Sequence, residues 1–248
     1  MAILFVASES YELKPFAARL AGSRSLNWPL DYAEEGVWEG QRAILVANGA
    51  GPKLAAAAVE IARRAVMVAD LSSSRLEAIV SIGVCGGLNP SLTPGQVLCP
   101  KKVLALDVQE VFECHTIEAA HEFVSGVAIS IDRVAGTLEE KKKLHEQGGD
   151  VVEMEAAGVA SKAIQAGLPF YCIKVLSDSA DDEMPLDLNE MRTTEGRFAR
   201  GKIGSYALTH PNVLPGLLRL RRRSEEAAGV LGDFLVGCRI EQERTPVD

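Results

Sequence analysis

The stretch Val151-Val152-Glu153-Met154-Glu155-Ala156-Ala157-Gly158 passes from a β-branched run straight into helix-forming residues that carry two acids. The change of pattern places a strand-to-helix junction here, and in α/β folds the carboxyl ends of strands are where ligands bind. Outward from it, residues 156–166 read as a helix that buries small side chains and is capped by Gly167. Residues 170–176 read as a second buried strand, stopped by Ser177-Asp178-Ser179-Ala180-Asp181. Glu155 and Asp178 thus stand at the ends of two successive strands. Acids in a first helical turn are favoured by the helix dipole, and Ser-Asp after a strand is ordinary turn chemistry, so it is the joint spacing that points to a site.

The same edge recurs upstream. Residues 2–7 are continuously apolar and read as a strand buried on both faces. Residues 8–12 then open a helix, which sets Glu12 at the strand end, with Glu9 as a competing candidate. Residues 32–38 and 42–47 read as a hairpin around Glu39-Gly40. Asn48-Gly49-Ala50-Gly51-Pro52 leads into an alanine-rich helix over 53–69, and glycines before a helix N-terminus let backbone amides face an anion or a ribose. Residues 76–82 form another buried strand, followed by Gly83-Val84-Cys85-Gly86-Gly87, where paired glycines permit close approach to a flat ligand. Residues 107–123, with His115 and His121, read as a surface loop or flap, and 124–131 as a strand ending at Asp132-Arg133-Val134. The charged helix over 137–147 reads as a solvated face. A last helix over 213–236 carries Arg219, Arg221, Arg222 and Arg223 beside leucines, and the residues after Gly237 read as a frayed end.

With 248 residues and 47% apolar composition the chain can bury a full core as a single α/β domain spanning 1–248. The net charge of −8 argues against general nucleic-acid binding, which needs a basic face, and leaves a small molecule as the expected partner. Five cysteines without close pairs indicate neither a disulfide framework nor a zinc site and read as buried thiols. The two histidines at 115 and 121 do not match a helical zinc pair. Cys85 has no base placed beside it and reads as structural. No signal segment and no membrane-spanning run is evident, so a cytoplasmic location is expected.

The paired motif Val152-Glu153-Met154-Glu155-Ala156-Ala157 and, after Pro169-Phe170, Val175-Leu176-Ser177-Asp178 resembles the nucleoside phosphorylase and nucleosidase superfamily, nearest the 5′-methylthioadenosine/S-adenosylhomocysteine nucleosidases. The segment 181–189 and the tail from His210 to Leu220 look like the subgroup of hopanoid-associated phosphorylases. The resemblance implies a three-layer αβα fold with a mixed, partly barrel-like central sheet, and a homodimer or larger assembly. It implies cleavage of the N-glycosidic bond of a purine nucleoside, an adenine nucleoside with a 5′ substituent. Asp178 would protonate or hydrogen-bond the purine at N7, with Ser177 orienting it. Glu155, ionised, would accept hydrogen bonds from the ribose hydroxyls and stabilise the oxocarbenium charge, with Met154 packed on the sugar and Glu153 beside it. Glu12 would orient the attacking water on the opposite face, by the logic that separates two carboxylates in inverting glycosidases. Gly49 and Gly51 would line the sugar side, and Cys85, Gly86 and Gly87 the base and ribose. Two departures stand out: Val84 replaces a common hydroxyl residue, and Val134 replaces the aromatic that stacks on the purine.

The nucleophile stays open. Superfamily phosphorylases hold phosphate with an N-terminal Gly-Asp-x-x-Arg loop, whereas this chain reads Ala7-Ser8-Glu9-Ser10-Tyr11-Glu12. An acid there opposes phosphate by about 4 kcal/mol per charge pair at ~4 Å and an effective dielectric of ~20, unless cations such as Arg42, Lys53 or Arg75 offset it. Water is therefore favoured, with phosphorolysis, phosphate serving as co-substrate, as the alternative. Neither a metal nor an organic cofactor is required. A non-catalytic nucleoside-binding protein is the reading from another class. A membrane-surface contact through the basic final helix is disfavoured against plain packing of its leucines.

Overall fold

A computed structural model describes residues 2–69 and 75–240. In chain order, β1 (Ala2–Ala7) runs into α1 (Ser10–Ala17); β2 (Ala21–Ser25), β3 (Tyr32–Trp38) and β4 (Gln41–Ala47) form a meander; α2 (Pro52–Ala69) leads to β5 (Leu76–Gly87). β6 (Val97–Ala105), β7 (Glu110–Glu113), β8 (Glu118–Ala119) and β9 (Val124–Ser130) follow. The chain continues through α3 (Leu138–Glu146), β10 (Val151–Glu153), α4 (Ala156–Gln165), β11 (Phe170–Asp178), α5 (Arg200–Thr209), α6 (Leu214–Val236) and β12 (Cys238–Arg239).

The main sheet has the order β10-β9-β6-β11-β5-β1-β4-β3-β2, with β7 added to β6. Its strands are mixed: β5 runs parallel to β1 and β11, while β10 is antiparallel to β5. That last pairing closes β5, β11, β6, β9 and β10 into a barrel, and β1, β4, β3 and β2 continue as an open extension. This is the three-layer α/β arrangement with a partly barrel-like sheet.

The continuous apolar run of β1 is explained by its two neighbours. Leu4 and Val6 face a core built with Ala55, Ala58 and Val59 of α2 and Val159 and Ala160 of α4. Ile3 and Phe5 face the opposite core, with Leu13 and Phe16 of α1 and Leu231, Phe234 and Leu235 of α6. Small residues on α2 and α4 let those helices lie close to the sheet, and Phe5, Phe16 and Trp38 meet edge to face on the other side. Trp38 Nε1 donates to the Leu235 carbonyl at 3.0 Å, which ties the hairpin to α6.

Four expectations differ from the structure. The strand expected to end at residue 82 continues to Gly87, because β10 and β11 both pair with its glycine end. The stretch 107–123 is not all loop: β7 pairs with β6, and β8 pairs with β12. The chain after Gly237 is therefore paired at 238–239, and the rest of the expected frayed end, 241–248, lies outside the described residues. Of the five cysteines, Cys114 is partly exposed and the others are buried. No helix among the described residues is long and apolar enough to cross a membrane.

Candidate active site

A cavity of about 760 Å³ lies at the carboxyl ends of β1, β5, β10 and β11. Its size falls in the ~300–1,000 Å³ range typical of small-molecule sites. Glu12, Glu155 and Asp178 all border it, each delivered by an element that is in register with β5.

Glu12 arrives on the first turn of α1 and is almost wholly buried. Its Oε2 accepts from the Ser8 amide (3.0 Å), the Ser8 hydroxyl (2.8 Å) and the Glu9 amide (2.8 Å). Its Oε1 accepts from the Val84 amide at 2.8 Å. Four donors fix the carboxylate in one orientation, and Oε1, with one protein partner, keeps acceptor capacity for a ligand or water. Gly83 makes the approach possible: its φ is +139°, and a Cβ there would stand 2.6 Å from Glu12 Oε1. Glu9, the competing acid, turns instead to Arg200 at 2.7 Å.

Glu155 is the N-cap residue of α4 and is buried, with Oε1 accepting from the Gly51 amide at 3.0 Å. Desolvation pushes its carboxyl up to about 7, against the opposing pull of Lys174. Full ionisation at neutral pH, expected from the sequence, thus gives way to a group that titrates there. Glu153 has a different place: its Oε2 accepts from the Glu155 and Ala156 amides at 2.9 and 2.8 Å and pairs with Lys174 Nζ at 2.9 Å. Its carboxylate caps α4 and aims the neighbouring acid, although the residue also borders the cavity along with Met154. Gly51 is set behind Glu155, and Gly49 borders a smaller adjoining cavity with Arg197; Ala50 between them lines the main one.

Asp178 ends β11 at a register shift opposite Gly86. Ser177 Oγ donates to its Oδ1 at 2.8 Å and lies 3.2 Å from the Cys85 carbonyl, the alternative acceptor of the same proton. A Cβ on Gly86 would meet Asp178 Oδ2 at 3.2 Å, so the bare glycine leaves the approach to that oxygen open. Gly87 instead lies against the Asp178 backbone. Cys85 borders the cavity, but burial pushes its thiol well above the ordinary range, which leaves no thiolate nucleophile. Oδ2 of Asp178 accepts from Lys141 Nζ at 2.5 Å, both side chains being almost fully enclosed. Lys141 stands within the charged helix that sequence alone reads as solvated; the sole cue to its inward face is its i, i+3 spacing from Leu144, the other buried residue of α3.

Val134 borders the cavity on a loop that Asn189 grips by both backbone groups, accepting from its amide at 2.8 Å and donating to its carbonyl at 3.0 Å. Two aromatics, Tyr11 and Phe198, border the cavity elsewhere, and Leu214, Leu217 and Leu218 of α6 make an apolar wall. The arginines at the cavity are already engaged: Arg133 with Glu140, Arg200 with Glu9 and Arg221 with Glu225. Arg42, Lys53 and Arg75 do not border it, and Arg42 pairs with Glu35. Among the described residues no cluster of three or more His, Cys, Asp or Glu side chains is placed to hold a metal.

Residues 2–201 match the family described as the Phosphorylase superfamily. The chain belongs to that superfamily. Within it, a 5′-methylthioadenosine/S-adenosylhomocysteine nucleosidase of Buchnera aphidicola is 27% identical over 138 residues, 45% of this chain and 55% of the relative. The match thus spans little more than half of that relative's length. An S-adenosylhomocysteine nucleosidase of Streptococcus pyogenes, solved with 5-methylthiotubericidin, superposes with a TM-score of 0.71 at 17% identity, covering 96% of this chain and 95% of that one. Futalosine hydrolase of Helicobacter pylori superposes at 0.67 and 16% identity, covering 95% of each chain. These superpositions place the phosphorylase-superfamily fold over nearly the whole chain.

Proposed function

We propose that this chain hydrolyses the N-glycosidic bond of a purine nucleoside, an adenine nucleoside whose 5′ position carries an apolar substituent. The observation that carries the reading is the convergence of Glu12, Glu155 and Asp178 on one cavity, each at a strand end in register with β5. Cleavage leaves charge at two places, a cationic sugar and an anionic base, and both need a partner. Asp178 serves the departing base. Glu155, in its ionised form, accepts the ribose hydroxyls and faces the oxocarbenium charge. Glu12 Oε1 accepts from the attacking water and takes up its proton as the new C–O bond forms.

Water is favoured over phosphate because the group at the nucleophile position is a carboxylate, and the arginines around the cavity are neutralised by their own carboxylates. The similarity to nucleosidases, including one solved with a methylthio nucleoside analogue, supports the same reading. The apolar 5′ group is favoured by the wall of Leu214, Leu217 and Leu218, with Ile203 of α5 and Phe198 beside it. The reading needs no cofactor.

The test is release of free adenine from methylthioadenosine, adenosylhomocysteine and adenosine, each with and without phosphate, with Asp178→Asn as control. Release without phosphate, lost in the variant, is expected. Release only with phosphate replaces hydrolysis by phosphorolysis, and tight binding without turnover in either form makes the chain a nucleoside-binding protein.

A further inference from the structure

We infer that Lys141 supplies the proton that Asp178 places on the leaving base, so that the acid of this site is a buried lysine and aspartate acting together. The inference rests on the hydrolytic reading above and concerns a residue that reading does not use.

Three observations carry it. Lys141 Nζ lies 2.5 Å from Asp178 Oδ2, with the lysine side chain 1% and the aspartate 5% exposed. The second acceptor of Nζ is the Ser179 carbonyl at 2.7 Å, and Ser179 is itself held by Asp182 through its amide (2.9 Å) and hydroxyl (2.8 Å), with Arg223 of α6 closing the chain of contacts at 2.9 Å. The ammonium is thus fixed, and no solvated alternative is within its reach. Finally, the open side of Oδ2 is the side over Gly86, toward the cavity.

A general acid must own a proton. A carboxylate that accepts from an ammonium on one oxygen and from the Ser177 hydroxyl on the other has none to give, whereas the pair has the one on Nζ. Burying a lysine is costly unless it is paired and hydrogen-bonded, and a structural pair would be satisfied anywhere in the core; this one is spent on the aspartate at the cavity.

The step balances as follows. As the C1′–N9 bond breaks, its electron pair passes to the purine. Nζ gives a proton to Oδ2 and becomes a neutral amine. The carboxyl turns over Gly86 and gives its proton to N7, returning to carboxylate. Water adds to C1′ and loses a proton to Glu12, which releases it to solvent. After the base departs, solvent entering the cavity protonates Asp178, which borders it, and Oδ2 hands that proton back to Lys141 Nζ; the net reaction is nucleoside plus water to free sugar plus free base. Lys141 acts through Asp178 and is in that sense a positioning and proton-supplying residue.

The experiment compares wild type, Lys141→Met and Lys141→Arg on two substrates, methylthioadenosine and p-nitrophenyl 5-methylthioriboside, whose phenolate leaves without needing a proton. Methionine removes the donor at similar length; arginine keeps the charge but does not surrender a proton. Both variants are expected to lose about 10²–10⁴ in kcat on the purine nucleoside, with KM moved less than about threefold, and to lose far less on the nitrophenyl riboside. Full purine turnover by Lys141→Arg overturns the inference, because the charge alone would then suffice. Equal losses on both substrates overturn it too, since a merely structural lysine would damage both reactions. Wild-type silence on purine nucleosides defeats the functional reading itself, and with it the inference, and is told apart from the other outcomes because it appears before any substitution.

Discussion

Lys174 Nζ lies 2.9 Å from Glu153 Oε2, and both side chains are completely enclosed. Burial alone would pull the lysine down, but Glu153 foremost, then Cys172 and Glu155, hold it above its ordinary value. The pair sits under α4 and orients the turn that presents Glu155. Lys174→Met strands a carboxylate in the core and is expected to cost about 3–5 kcal/mol in urea unfolding. The double variant Lys174→Met with Glu153→Gln should cost clearly less than the sum of the two single changes. Additive losses would mean that the two residues are not coupled.

Glu155 gives the site a pH dependence of defined sign. Its folded carboxyl, raised from 4.5 to about 7, binds a proton that the unfolded chain has already released over that range. Stability therefore falls as pH rises from about 4.5 to about 7, and the penalty is complete above it. Glu155→Gln is expected to be more stable than wild type above pH ~7, by up to about 3 kcal/mol, with the difference vanishing below pH ~4.5. Activity should move the other way, rising through pH ~7 in wild type as the carboxylate forms. Unfolding curves and pH–rate profiles of both proteins check the two signs.

Gly83 is the position where the backbone makes room for Glu12. Gly83→Ala places a Cβ at 2.6 Å from Oε1 on a backbone of φ +139°. Strain of about 1–3 kcal/mol is expected, together with a fall in kcat, because the carboxylate must shift from the Val84 amide. A thermal melt with steady-state kinetics reads both; a stable variant with unchanged kcat would show that the position of Oε1 is unimportant.

On the proposed reading, the leucine wall makes affinity depend on the 5′ chain. For a series of 5′-alkylthio adenosines, each methylene that reaches Leu214, Leu217 and Leu218 should lower KM, by at most ~0.8 kcal/mol per methylene. Leu218 is 65% exposed, so Leu218→Asp is expected to fold normally and to flatten that series. A wild-type KM independent of chain length would place the 5′ group elsewhere.

Much of this architecture is readable from residues alone. The apolar run of β1 and the acids that follow strand ends at Glu12, Glu155 and Asp178 are local signals, and they point to one edge of one sheet. What is not readable depends on distant partners. Gly86 and Gly87 look like a turn and are strand, because β10 and β11 pair with them from 64 and more residues away. The segment 107–123 has no clear period because β7 and β8 are short and take their pairing from β6 and β12. Lys141 is hidden in a run of five charges, where its i, i+3 spacing from Leu144 is the one local cue to an inward face and Glu140, at i, i+4, shares it. Propensity and spacing do not separate Glu153 from Glu155, which only the family resemblance tells apart in the sequence; in the structure Glu153 pairs with the distant Lys174 and caps the helix, and Glu155 is left with the Gly51 amide.

β5 pairs with β1, β11 and β10, and Gly86 is the register partner of both Asp178 and Val152. The three acids are therefore measured from a single datum. Errors in placing one against another accumulate over a few hydrogen bonds instead of along the chain, and a one-residue slip of any neighbour would misplace its acid by a full step. The tolerance of the site is set by one strand, while α5 and α6, which also line the cavity, pair with none of the strands that carry the acids and can change without touching the reference from which those acids are laid out.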